Sequence, residues 1–181
     1  MRIISGTLKG RKLEHVKKSS TRAVTDRVKE GIFGVLGDVT GNRVLDLFAG
    51  TGSLGIESLS RGAESCVFVD RSRECAGTIR ANLSSTGLSG KVYVRALPSG
   101  LRRFREKKFD LVFVDPPFAS DVTEGVLKDI GEMHIVGSEG VVVVRLHSKK
   151  KMPAKVGDLV IKRKEKYGEN AVFFMGPAAA G

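Results

Sequence analysis

Three glycines, Gly50, Gly52 and Gly55, stand in G-x-G-x-x-G spacing within VLDLFAGTGSLG. Glycine at such places permits a tight strand-to-helix turn and lets a ligand approach the backbone closely. Asp70 ends the next apolar run, 20 residues after Gly50, where a carboxylate can accept both ribose hydroxyls of a nucleoside cofactor. That spacing alone fits a nicotinamide dinucleotide. Asp46 argues against it, because it lies inside the preceding strand, four residues before Gly50. A carboxylate there suits a cationic ligand and repels a nearby pyrophosphate. A second signature, Asp115-Pro116-Pro117-Phe118, follows the apolar run FDLVFV. Its two prolines stiffen the turn and remove two backbone donors, so the carbonyls there serve only as acceptors. Asp115 and the Pro116 carbonyl are suited to grip a planar exocyclic NH₂ from two sides, with Phe118 stacked on the attached base. Such an amine is a weak nucleophile, since its lone pair is delocalised into the ring. Two acceptors favour a pyramidal nitrogen and take up the positive charge that develops on it.

The elements that must position these groups follow from the periodicity. Beyond residue 42, apolar runs read as strands at 43–47, 66–70, 91–95, 109–114 and 140–146. Stretches with helical spacing separate them at 53–61, 71–85, 98–107 and 121–133. Continuous apolar strands such as LVFV and VVVV suit a parallel sheet covered on both faces, and the alternation predicts a doubly wound α/β sheet. Segments 158–163 and 171–175 read as an antiparallel pair closing one edge, which makes seven strands. In that order both signatures fall at the carboxyl ends of strands, beside the switch-point crevice. RIISG and GRKLE predict a short β-hairpin, and a helix follows with Thr25 or Asp26 as N-cap. The expected division is a basic extension over 1–40, a main domain over 41–176 and a frayed tail over 177–181.

The pattern D-x-F-x-G-x-G at Asp46, Phe48, Gly50 and Gly52 resembles motif I of the class I S-adenosylmethionine-dependent methyltransferases, whose fold is Rossmann-like. Within those enzymes D/N-PP-Y/F marks methylation of an exocyclic or amide nitrogen, usually of a base flipped from its stack. RIISGTLKGRKL, TRAVTDRVKEGIF, DLFAGTGSLGIESLSRGA, FVD and DPPF occur in one order. Together they resemble the bacterial 16S rRNA guanine-N2 methyltransferases, the RNA small-subunit methyltransferase D family, over nearly the whole chain. The resemblance implies N2 methylation of one guanine in 16S rRNA, with S-adenosylmethionine as donor and a partly assembled small subunit as substrate. The cofactor is then expected across Asp46, Phe48, Ala49, Gly50, Thr51, Gly52, Asp70 and Arg71. The family often has an acid after the third strand; VRALPSGL has none, which leaves Leu97 or backbone groups to meet the adenine. Ala23-Val24 stands where the family usually has Pro-Thr. Asp115, Pro116 and Phe118 are the expected catalytic residues. No separate strong base is required, since the proton can leave after methyl transfer, to Asp115 or water. The rivals are another planar amine (adenine N6 of DNA, another rRNA base, protein glutamine), a dehydrogenase and a non-catalytic RNA-binding module.

The 181 residues carry a formal charge of +11, unevenly placed. Residues 1–29 hold nine Lys/Arg and two acids, a balance of +7; residues 102–108 carry +4 and residues 149–166 carry +6. The rest is an acidic body of −6. Basic patches around an acidic body fit a protein that holds a polyanion. Arg2, Lys9, Arg11, Lys12, Lys17, Lys18, Arg22 and Arg27 are read as phosphate contacts, which position without specifying sequence. With 41% hydrophobic residues the chain can bury a core, which excludes general disorder. The apolar runs are strand-sized, so no membrane span is expected. No signal-peptide pattern opens the chain. Cys66 and Cys75 make no disulfide framework, and no Cys/His cluster has zinc-ligand spacing, so no metal is expected. A cytoplasmic monomer is expected. Cys66 reads as a core residue, Cys75 as a helix-face residue, Glu57 as solvated, and His15, His134 and His147 as isolated surface residues. Neutralising Lys9, Arg11 and Lys12 is expected to weaken RNA binding, and its salt dependence, while sparing cofactor binding. Filter binding and calorimetry check this, and equal loss of both affinities counts against it.

Overall fold

The computed structural model describes residues 1–16, 24–118 and 120–178. Strands β1 (Arg43–Leu47), β2 (Ser65–Asp70), β3 (Lys91–Val94), β4 (Phe109–Val114) and β5 (Val136–His147) run parallel. Strands β6 (Lys155–Val156), β7 (Leu159–Tyr167) and β8 (Asn170–Pro177) complete the sheet antiparallel, in the order β3-β2-β1-β4-β5-β8-β7-β6. The sheet therefore has eight strands rather than seven; the additional one is the two-residue β6, too short to show in a periodicity. β8 inserts between β5 and β7, so its residues Ala171–Met175 lie in the sheet interior and are buried. The strand order reverses between β1 and β4, and the crevice at their carboxyl ends is where an open α/β sheet holds ligands.

Both faces are covered because both faces of the strands are apolar. Leu45, Leu47, Val112, Val114, Val142 and Val144 pack with Leu101 and Phe104 of a 3-10 helix (Ser99–Phe104) and with α4 (Thr123–Glu132). The region expected as a full helix over 98–107 thus forms only this tighter six-residue turn. The opposite face carries Val44, Phe68, Leu111, Phe113 and Val143, under α1 (Asp26–Leu36), α2 (Ser53–Ser60) and α3 (Arg73–Thr86). Thr25 caps α1, its Oγ1 accepting the Val28 N–H at 3.4 Å. Phe33 of α1 meets Phe113 of the sheet with centroids 6.0 Å apart.

The expected N-terminal hairpin forms as a short antiparallel reversal with one bridge, Arg2 with Lys12. Across it Ile3 N–H donates to the Arg11 carbonyl at 2.9 Å, Gly10 N–H to the Ile3 carbonyl at 2.8 Å and Leu13 N–H to the Met1 carbonyl at 3.1 Å, while at its turn Thr7 N–H donates to the Ser60 carbonyl of α2 at 2.8 Å. Gly6, at φ +83°, lies so close to that carbonyl that a Cβ would fall 1.8 Å from it. Ile3 and Leu13 enter the core of this face.

Glu57, expected in solvent, is fully buried. It accepts the N–H groups of Ile4 (2.8 Å) and Ser5 (2.9 Å) and pairs with Arg61 at 2.9 Å and Lys29 at 3.2 Å. Lys29 is buried too, and also donates to the Arg2 carbonyl. Burial pushes the Lys29 ammonium below its ordinary pKa, and Glu57 opposes that shift. The knot ties the N-terminal segment to α1 and α2. Replacing Glu57→Ala leaves a buried cation and two N–H groups without their acceptor, which costs about 3–5 kcal/mol. Urea unfolding checks the figure; a loss under about 1 kcal/mol contradicts the role given to the knot.

Candidate active site

The glycine loop connects β1 to α2, and three of its residues have left-handed backbones: Phe48 (φ 58°), Gly50 (56°) and Gly52 (78°). Phe48 is the costly one, since a side chain at positive φ is strained and persists only where surroundings enforce it. Here Ala49 N–H donates to the Val69 carbonyl at 3.1 Å, and Gly52 N–H to the Ala49 carbonyl at 2.7 Å, clamping the turn. A Cβ on Gly50 would have only the Phe48 carbonyl within 4 Å, at 3.9 Å, so a ligand can approach there. Gly55 serves packing instead: a Cβ there would lie 2.3 Å from the Phe68 ring and 2.6 Å from Cys66 Sγ.

Asp70 Oδ2 accepts the Gly50 N–H at 2.9 Å and Oδ1 the Ser72 N–H at 2.8 Å. The carboxylate is half-buried at the carboxyl end of β2, and each oxygen retains a lone pair for a ribose hydroxyl. Asp46 is buried on β1 and accepts the Gly55 N–H at 3.0 Å, holding the first turn of α2. Burial drives its carboxyl well above the usual range; the Gly55 N–H opposes this, and Asp115 and Asp70 add to it. Ala49 and Thr51 are half-buried around the loop, Leu97 is half-buried against the core, and Arg71 is exposed just beyond Asp70. The Thr51 carbonyl accepts from the fully buried Asn82 Nδ2 at 3.0 Å, and the same nitrogen donates to the Glu14 carbonyl at 3.3 Å.

Asp115 follows β4, two strands from Asp70. Its carboxylate does not stand open: Arg145 Nε donates to Oδ1 at 2.7 Å and Nη2 to Oδ2 at 2.9 Å. Arg145 Nη1 reaches Asn170 Oδ1 at 2.9 Å, at the β7–β8 turn. The fork fixes the carboxylate plane, and a second lone pair on each oxygen stays available to an amine. Burial raises the Asp115 carboxyl above its ordinary pKa and Arg145 counters it. Pro116 is buried and Phe118 half-buried. The Arg145 guanidinium carbon lies 5.1 Å from the Phe118 ring centroid, and His147 meets the same ring edge-on at 5.5 Å. His147, expected as an isolated surface residue, is thus part of this entrance. His15 is not isolated either, lying 3.1 Å from the Met1 amino group.

Sequence reasoning missed Arg145, Asn170 and His147. One signal was present: VVVVRLH places a single guanidinium in an otherwise apolar, buried strand, where it needs an anionic partner. Of the phosphate-contact candidates, Lys9, Lys12 and Arg27 are exposed. Arg2 pairs with Asp26 at 3.0 Å and Arg11 donates to the Ser85 carbonyl at 2.7 Å, so both are partly committed within the chain. Lys17, Lys18, Arg22 and Ala23 lie outside the described residues. Among the described residues no His, Cys, Asp or Glu cluster could hold a metal, and no helix is long and apolar enough to cross a membrane. Two cavities of about 580 and 600 Å³ open at the opposite edge of the sheet, around residues such as Arg43, Asp110 and Glu139, away from both signatures.

Residues 1–176 match the family described as "Conserved hypothetical protein 95". The chain belongs to this family. Bacillus subtilis YlbH, provisionally named an rRNA methyltransferase, is 42% identical over 95% of this chain and 96% of its own. The Ribosomal RNA small subunit methyltransferase D of Haemophilus influenzae is 35% identical over 68% of this chain and 67% of its own. Among solved structures, the provisionally assigned Escherichia coli methyltransferase yhhF superposes with a TM-score of 0.85 at 28% identity, covering 99% of both chains. The fold of this Conserved hypothetical protein 95 member is that of the Rossmann-like class I methyltransferases, and its cofactor is S-adenosylmethionine. The residues present fit that group: an open glycine turn, a carboxylate with free lone pairs at the end of β2, and a carboxylate cluster able to face a sulfonium cation.

That cluster makes binding depend on pH. As pH rises through the raised pKa values of Asp46 and Asp115, both ionise and attract the sulfonium. Affinity for S-adenosylmethionine is expected to increase as pH rises above the ordinary carboxylate range. S-adenosylhomocysteine, without the sulfonium charge, shows a shallower rise, and Asp46→Asn flattens the difference. Calorimetry across the range checks this; identical profiles for the two ligands contradict it.

Proposed function

We propose that the chain methylates the exocyclic N2 amine of a specific guanine in 16S rRNA, within a small-subunit assembly particle, as a cytoplasmic monomer. The observation that carries the reading is the DPPF turn at the carboxyl end of β4, with Asp115 oriented by Arg145 beside the glycine loop. The named rRNA methyltransferases among its relatives support an RNA substrate.

S-adenosylmethionine supplies an electrophilic methyl group on a sulfonium sulfur and leaves as the neutral thioether. Asp46, Phe48–Gly52, Asp70, Arg71 and Leu97 would hold it, Asp70 serving the ribose hydroxyls and Leu97 the adenine. The flipped guanine stacks on the face of Phe118 turned away from Arg145. Asp115 and the Pro116 carbonyl accept the two N–H bonds of the amine and aim its lone pair at the methyl carbon. As the nitrogen–carbon bond forms, positive charge on nitrogen is met by the Asp115 carboxylate. Proton loss from the nitrogen follows, to Asp115 or to water. The raised proton affinity of the buried carboxyl favours Asp115 as the first acceptor.

A labelled methyl-transfer assay on naked 16S rRNA, assembled small subunits, DNA and protein, followed by nucleoside analysis, tests the proposal. N2-methylguanosine from the ribosomal substrates is expected. Label only in DNA adenine or protein glutamine overturns it in favour of another planar amine. Asp115→Asn and Asp115→Ala are expected to lower kcat by about 100-fold or more, a larger effect than the accompanying loss of cofactor affinity. Unchanged rates in both variants contradict the role of Asp115.

A further inference from the structure

Of the three basic patches in the sequence, the one over residues 149–166 takes no part in the site described above. Its first three lysines follow directly on β5, whose last residue, His147, packs on the edge of Phe118. This limb is fastened on both sides. Lys150 Nζ donates to the Ser120 carbonyl at 2.6 Å and to Asp121 Oδ1 at 3.2 Å, just beyond the DPPF turn. Ser148 N–H donates to the Glu169 carbonyl at 2.8 Å, in the β7–β8 turn. Met152 packs on the apolar cluster shared with α4. Lys149 and Lys151, on either side of the Lys150 strap, are exposed. Their ammonium groups therefore stand on anchored backbone beside the entrance where Phe118 lies.

The charge around that entrance is otherwise unfavourable to a polyanion. Asp46, Asp70 and Asp115 gather at the same edge, and the Asp121 side chain is 97% exposed. A phosphate backbone approaching this well is repelled unless cations stand between. The N-terminal segment cannot supply them all. It packs on the α1–α3 face of the sheet, whereas the limb joins the face covered by α4 and the 3-10 helix. Arg2 and Arg11 are also partly committed to internal partners.

We propose that Lys149 and Lys151 hold the phosphates flanking the nucleotide whose base enters at Phe118, making the limb over 147–151 a second RNA-binding surface. The proposal rests on the RNA reading above. A base drawn out of its stack leaves its own phosphates at the mouth of the pocket. Lysines serve there as mobile point charges, which position the strand without reading its sequence. The two basic surfaces then grip the RNA from opposite faces of the sheet, with the acidic well between them.

The experiment compares the full chain with the Lys149→Gln/Lys151→Gln double variant and a Lys149→Arg/Lys151→Arg control. Methyl-transfer kinetics on the small-subunit substrate are measured across a salt series, with S-adenosylhomocysteine affinity alongside. In the Gln variant, KM for RNA rises by about tenfold, with little change in kcat. The slope of log KM against log salt becomes shallower by about 1.4, the value for two phosphate contacts on a single strand. The Arg control keeps the wild-type KM, and cofactor affinity is the same in all three. An unchanged KM and salt slope in the Gln variant, with an active wild type, overturns the limb alone. A wild type that methylates no RNA overturns the proposed function and the limb with it.

Discussion

Three carboxylates gathered at the carboxyl ends of three adjacent parallel strands create a charge problem that the surrounding structure answers residue by residue. Burial disfavours ionisation of Asp46 on β1 and of Asp115 after β4, and the charges of Asp115 and of Asp70 at the end of β2 raise the proton affinity of Asp46 further. Asp46 is met by one backbone N–H, Asp70 by two, and Asp115 by the bidentate guanidinium of Arg145. These partners do more than offset desolvation. The Gly50 N–H belongs to the glycine turn and the Gly55 N–H to the first turn of α2 that follows it, so Asp70 and Asp46 help hold the loop in its strained conformation. What remains unsatisfied is negative potential, and a sulfonium cation and an amine gaining positive charge are the ligands that relieve it.

A second buried ionic group links this edge to the N-terminal segment. Glu57 binds two backbone N–H groups of that segment and pairs with Lys29 and Arg61. Asn82 binds Glu14 and the glycine loop with one side chain. The N-terminal residues are thus docked on the methyltransferase scaffold through its helices, with their cations at the surface. Under the proposed function, positive charge on both faces of the sheet and negative charge along its carboxyl edge divide substrate holding from chemistry. The same Coulomb repulsion that would keep RNA out of the acidic well requires the basic surfaces around it.

Much of the fold was legible because its parallel strands are buried on both faces. A continuous apolar run such as LVFV or VVVV is unmistakable, and β1 and β4 match their expected bounds. β6 was not legible, since two residues have no periodicity. The short hairpin at the N-terminus was legible, but not that its turn is held by α2, with Thr7 N–H on the Ser60 carbonyl. Glu57 was misjudged for a related reason. A lone Glu on a helix is ordinarily solvated, and nothing local announces that Lys29, 28 residues earlier, will be buried against it.

The sequence by itself determined the class of chemistry. Glycines at a strand end, Asp46, Asp70 and DPPF carry their meaning through local geometry, because turn conformation and strand position depend on neighbours along the chain. Only the tertiary structure decided how those groups are held. The fork of Arg145 on Asp115 spans 30 residues and the bond of Asn170 to Arg145 a further 25. Such contacts arise from strand order, where β5 lies beside β4 and β8 beside β5. Strand order is set by the packing of the whole sheet. For that reason the motif residues could be read one after another, while the cation that orients the central carboxylate came into view only when distant strands met.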